Sequence, residues 1–126
     1  MTPPTERDES RAMTDPNWQL GLLVGSLKQM AMSANEQIES LPAFVNAPSE
    51  IVDDFYNAFL LVDQVIAAGL LDPSVRPVLE RINSIIDDIQ SRGAASQIWD
   101  RSALATNVLW ESLRVEARDA LRKIGA

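Results

Sequence analysis

The sequence predicts an all-α protein: an antiparallel bundle of four main helices plus a short helical segment before the last one. Three observations predict it. Apolar residues return at steps of three and four over long stretches, which keeps them on one face of a helix. No alternating apolar–polar run of useful length, the mark of a half-buried strand, occurs. Proline, glycine or a capping residue stands where the periodic stretches stop.

Residues 1–14 are polar, with adjacent Pro3 and Pro4, and read as a disordered lead; 15–126 read as one domain. Asp15 and Pro16 supply an N-cap and a first-turn proline for a long first helix. It is expected to run to about Leu41, with Trp18, Leu22, Leu23, Leu27, Met30, Ala34, Ile38 and Leu41 as its apolar stripe. Gly21 and Gly25, one turn apart, either admit another helix closely or are glycines that packing tolerates. Pro42 ends the helix, and residues 41–48 form a linker. Ser49 is expected to cap the second helix, where Ile51, Phe55, Phe59, Val62 and Ile66 share a face, and Gly69 to end it in the left-handed conformation.

Asp72 and Pro73 repeat the cap-plus-proline start for a third helix, with Val75, Val78, Leu79, Ile82, Ile85, Ile86 and Ile89 on one face. Pro77 predicts an irregular first turn, and Gly93 closes the helix. The second and third helices read as a hairpin folded back on itself around residues 69–73. Residues 96–105 make one or two helical turns. Thr106 or Asn107 then caps a last helix to about Ile124, whose Trp110, Leu113, Ala117, Leu121 and Ile124 share a face. Arg114, Arg118 and Arg122 form a second stripe within reach of Glu111, Glu116 and Asp119, with Glu111–Arg114 expected to brace the helix. Trp18, Trp99 and Trp110 read as core residues, with Trp99 the one expected to be partly exposed.

Composition excludes more than it selects. The chain has 126 residues and a formal charge of −7, and it contains neither histidine nor cysteine. A Ser-His-Asp or Cys-His relay, an ordinary structural zinc site and a Glu-x-x-His di-iron bundle therefore cannot be built. No glycine-rich phosphate loop ending in Lys-Ser or Lys-Thr is present. The opening residues are too polar for a signal peptide, and Leu20–Val24 is far too short to span a bilayer. Those features make the cytoplasm the expected address.

The acids are unevenly spread. Residues 46–92 hold Glu50, Asp53, Asp54, Asp63, Asp72, Glu80, Asp87 and Asp88 against Arg76, Arg81 and Arg92, a net of −5, whereas residues 93–126 come to +1. Such a block repels nucleic acid and anionic lipid and favours basic proteins or cations; it also serves solubility. Neighbours such as Asp53-Asp54 and Asp87-Asp88 point about 100° apart on a helix and chelate poorly as pairs. One constellation admits an enzyme. Glu36 and Glu39 share a face of the first helix, as do Glu50 and Asp53 of the second, and two such helices could hold magnesium against a triphosphate. That pattern resembles the all-α nucleotide pyrophosphohydrolases, although no lysine or arginine lies near it to grip phosphate.

The C-terminal half carries a second resemblance, on three elements over about residues 50–125. The first is a leucine-rich hairpin with aspartates, Phe59-Leu-Leu-Val-Asp63 through Ile85-Ile-Asp-Asp-Ile89. The second is a short Trp-containing turn, Ile98-Trp-Asp-Arg-Ser-Ala-Leu104, and the third is Leu109-Trp-Glu-Ser-Leu-Arg-Val-Glu-Ala-Arg118, opening the final helix. The arrangement resembles the small helical immunity proteins of bacterial contact-dependent growth inhibition and related polymorphic-toxin systems. Where those proteins often have Asp-Pro before the last helix, this chain has Thr106-Asn107. The resemblance implies a toxin inhibitor with no reaction, cofactor or metal of its own. Its partner would be a cognate toxin domain, usually a nuclease, rather than nucleic acid or membrane. A nuclease offers a basic surface, so the expected contact residues are Asp53, Asp54, Asp63, Asp87 and Asp88, flanked by Asp72 and Glu80.

Overall fold

In the computed structural model, residues 14–126 are described, and the lead expected over residues 1–14 lies, but for Thr14, outside them. Seven α-helices and two 3-10 turns follow one another, and no strand occurs among the described residues. The helices are α1 (Pro16–Ala31), α2 (Ala34–Glu39), α3 (Ala47–Phe59), α4 (Val62–Ala67), α5 (Arg76–Gln90), α6 (Ala103–Thr106) and α7 (Val108–Ile124). The 3-10 turns, Pro73–Val75 and Gln97–Trp99, precede α5 and α6.

Most of the expected stops hold. Asp15 caps α1 by accepting from the Asn17 N–H, with Pro16 in the first turn. Asp72 accepts from the Ser74 N–H at 2.8 Å and opens the 3-10 turn that delivers the chain into α5, the irregular start that Pro77 requires. Asn107 caps α7. Gly69 and Gly93 sit at φ 77° and 87°, where a Cβ would be strained, and each lies just beyond a helix end.

Three starts or breaks differ. The first helix does not reach Leu41: it ends at Ala31, and α2 begins after a full capping box in which Ser33 Oγ accepts from the Glu36 N–H and Glu36 Oε1 accepts from the Ser33 N–H. The Ser-x-x-Glu spacing outweighed a continuous apolar stripe because it satisfies two otherwise orphaned N–H groups. The second helix starts three residues earlier than expected: Asn46, not Ser49, is the N-cap, and Pro48 lies within the first turn. It also breaks at Leu60 and Leu61 into α3 and α4.

The core is one cluster of buried side chains. Leu23, Leu27 and Met30 of α1, Ile51 and Phe55 of α3, Leu79, Ile82, Ile86 and Ile89 of α5, and Trp110 and Leu113 of α7 are almost wholly buried. Each such side chain contributes roughly 1.5–3 kcal/mol relative to exposure. The heaviest packing is of α1 against α7 and α3, and of α5 against α7; α3 and α5 touch only lightly. The stretch expected as a hairpin therefore does not pack chiefly on itself. Its two arms are held by α1 and α7 instead. Trp110 is buried as expected, with its indole N–H on Ile98 O at 2.9 Å and its ring edge-on to Trp99. Trp18 is not a core residue; it remains 40 % exposed.

Arginine and glutamine side chains complete the joints. Gln37 Nε2 donates to Met30 O and Gln29 O, and Arg118 Nε donates to Ala31 O, so the last carbonyls of α1 are satisfied from α2 and α7. Arg101 donates to Ile38 O, Pro42 O and Val45 O, fastening the linker that follows α2. Arg114 pairs with Glu111, as expected, and its guanidinium is itself buried.

A candidate acidic docking surface

The seven acids expected at the partner surface all lie at the protein surface. Asp53, Asp63, Asp72, Glu80, Asp87 and Asp88 are exposed, and Asp54 is half-buried. Their placement follows from helix phase. On α3 the buried positions are Ile51, Val52, Phe55 and Ala58, which leaves Asp53, Tyr56 and Leu60 along the outer line. Asp54 turns toward α1, where it faces Trp18 and Leu22. On α5 the buried positions are Val78, Leu79, Ile82, Ile86 and Ile89, so Glu80 and Asp87, two turns apart, share an outer line. Asp88 follows Arg81 by two turns, and Arg81 reaches Glu116 and Asp119 of α7. Each adjacent pair of aspartates is thus divided between two directions, as the 100° rotation per residue requires.

Pairing divides the acids again. Arg76 bonds Asp63 across the turn and lies 3.7 Å from Glu80, and Arg92 lies 3.8 Å from Asp88. Asp53, Asp54, Asp72 and Asp87 make no ion pair among the described residues. Asp72 accepts the Ser74 N–H. Burial, reinforced by repulsion from Glu50 and Asp53, raises the Asp54 carboxyl above its ordinary value. Asp72 is shifted the other way, because the Ser74 N–H stabilises its carboxylate.

The four acids of the alternative constellation do not form a common site. Glu36 is occupied as the capping-box partner of Ser33, Glu39 is exposed, and Glu50 sits near Asp54 in the first turns of α3. Among the described residues, no group of three or more carboxylates is placed to hold a metal ion. Nor is any described helix long and apolar enough to cross a membrane.

No protein family, curated protein or solved structure matches this chain.

The sequence places Trp18 and Leu22 on the apolar stripe of α1, but the buried line of that helix runs through Gln19, Leu23, Ser26, Leu27 and Met30. Two of those five are polar. Gln19 Nε2 donates to Gln64 Oε1 at 2.7 Å, and Ser26 Oγ donates to Leu23 O at 2.8 Å, so the donor group of each is engaged. The usable signal was the pair Gly21 and Gly25 beside Trp18 and Leu22, four residues that mark an open line rather than a core line.

Proposed function

We propose that this chain is a bacterial immunity protein, a binding module that neutralises a cognate toxin domain by covering its active site or substrate groove with an acidic helical surface. The architecture we infer for it is an antiparallel bundle of four main helices, built from α1, α3 continued by α4, α5 and α7. The single observation that carries the reading is the state of the acids. All seven reach the surface, and among the described residues none belongs to an inward metal-holding cluster and four have no ion-pair partner. Uncompensated carboxylates at a surface raise association rates with a basic partner and mimic the phosphates such a partner holds. A toxin of the nuclease class presents the matching positive groove.

The experiment is co-expression of the chain with the C-terminal domain encoded by the neighbouring reading frame. Capture of that domain, affinity falling steeply as salt rises, and slower association in Asp53→Asn and Asp87→Asn would support the reading. Absence of capture, or capture indifferent to salt, would overturn it. Magnesium-dependent release of pyrophosphate from nucleotides, abolished by Glu36→Gln or Asp53→Asn, would replace it with an enzyme.

A further inference from the structure

Along α1, Trp18, Gly21, Leu22 and Gly25 follow one another at steps of three, one and three, on a line that faces Asp54 and Asn57 of α3. Between the two helices lies an open groove of about 500 Å3. Trp18 and Leu22 keep 40 % and 38 % of their surface exposed there, whereas Leu23, Leu27 and Met30 of the same helix are fully buried. The glycines form the low part of the groove. A Cβ added to either meets nothing within 4 Å, and neither has the positive φ that demands glycine. Among the described residues, neither packing nor backbone conformation calls for glycine at these positions. Their effect is on shape: they let a second backbone come nearer to α1 than any side chain would permit.

Charge decides between occupants. Asp54 stands on the α3 wall with Glu50 one turn before it and Asp53 beside it, and the three repel one another. A second copy of this chain, itself at −7, would bring the same carboxylates toward each other. A helix bearing lysine or arginine would relieve the repulsion while its apolar face covered Trp18 and Leu22.

We propose that the α1–α3 groove is a docking site for a cationic amphipathic helix of a partner protein, its apolar face over Gly21 and Gly25 and its lysine or arginine against Asp54 and Glu50. The inference rests on the binding-module reading and names the element of the toxin that docks.

The test uses the full chain and a synthetic helical peptide with leucine on one face and lysine on the other, titrated calorimetrically. A counterpart with glutamate in place of lysine is the control. Binding of the lysine peptide, weakened about tenfold or more by Gly25→Leu, by Trp18→Ala and by Asp54→Asn, is the expected result. Circular dichroism melts establish that each variant is folded; Trp18 and Gly25 are both exposed, so at least one informative variant remains if another is lost. The proposal is overturned by equal binding of the glutamate peptide, by binding unchanged in Gly25→Leu and Trp18→Ala, or by a homodimer that Gly25→Leu splits. Normal capture of the toxin domain by Gly25→Leu would also overturn it while leaving the immunity reading intact. If the toxin domain is not captured and the lysine peptide binds as described, the immunity reading fails and the docking groove stands.

Discussion

The buried guanidinium of Arg114 donates from Nη1 to Gln37 Oε1 at 3.3 Å, joining two residues 77 positions apart. The bond closes a chain of contacts from Glu111 through Arg114 and Gln37 to the carbonyls of Gln29 and Met30. One polar thread therefore ties the end of α1, the middle of α2 and the first half of α7. A buried network of this kind fixes geometry only while each member is satisfied.

Cutting the thread should be costly. Arg114→Ala leaves Gln37 Oε1 without its buried donor and removes a packed side-chain stem, so a loss of about 2–3 kcal/mol is expected. Urea denaturation followed by circular dichroism measures it. A loss below about 0.5 kcal/mol would mean that water replaces the guanidinium without penalty.

The glycines of α1 make the opposite prediction. Gly21→Ala and Gly25→Ala should each raise stability by up to about 1 kcal/mol, because alanine is the better helix former and its methyl group meets no neighbour. The same denaturation experiment reads the gain. Destabilisation by either substitution would show that something does press against α1 at that point.

Two aspartates should shape the acid limb of stability with opposite signs. The Asp54 carboxyl is raised by burial and by Glu50 and Asp53. Its ionisation therefore opposes folding: the stability is complete below the unfolded value of about 3.9 and is lost as pH rises through the higher folded value. Asp54→Asn should accordingly be more stable than the parent at neutral pH, with the difference vanishing in acid. Asp72 is lowered by the Ser74 N–H, so its contribution is present above the unfolded value and is lost as pH falls through the lower folded one. Asp72→Asn, which keeps a neutral cap, should be less stable at neutral pH and converge with the parent in acid. Thermal midpoints of the three proteins across the acid range check both signs.

Tryptophan emission separates the three indoles. Trp110 is 1 % exposed, Trp99 is partly covered and Trp18 is open. Trp18→Phe should therefore remove most of the fluorescence that acrylamide quenches easily and leave the melting temperature within a few degrees of the parent. If the quenchable fraction survives the substitution, Trp18 is not the open indole.

Much of the fold could be read locally, and particular residues show where that stopped. Asp15, Asp72 and Asn107 begin elements, and Gly69 and Gly93 close them, because caps and left-handed turns satisfy N–H and carbonyl groups within a few residues of themselves. The Ser33–Glu36 box was equally local, but it stood inside an unbroken apolar rhythm that suggested a single helix. The acids were legible as surface residues because charge is rarely buried without a partner. Their division between neutralised and bare was not. Arg76 reaches Asp63 across a turn, and helix periodicity carries no information about that contact.

The sequence by itself determined that the chain is helical, where most helices stop, and that its chemistry is confined largely to carboxylates. These follow from backbone hydrogen bonding and residue type, which act over a few residues. Tertiary structure decided which face of each helix is covered: Gln19 and Ser26 turn inward while Trp18 and Leu22 stay outside, and α5 leans on α7 rather than on α3. The physical reason is that burial is a property of pairs of surfaces. A helix with apolar groups on two sides presents both, and only the arrival of its neighbours selects one.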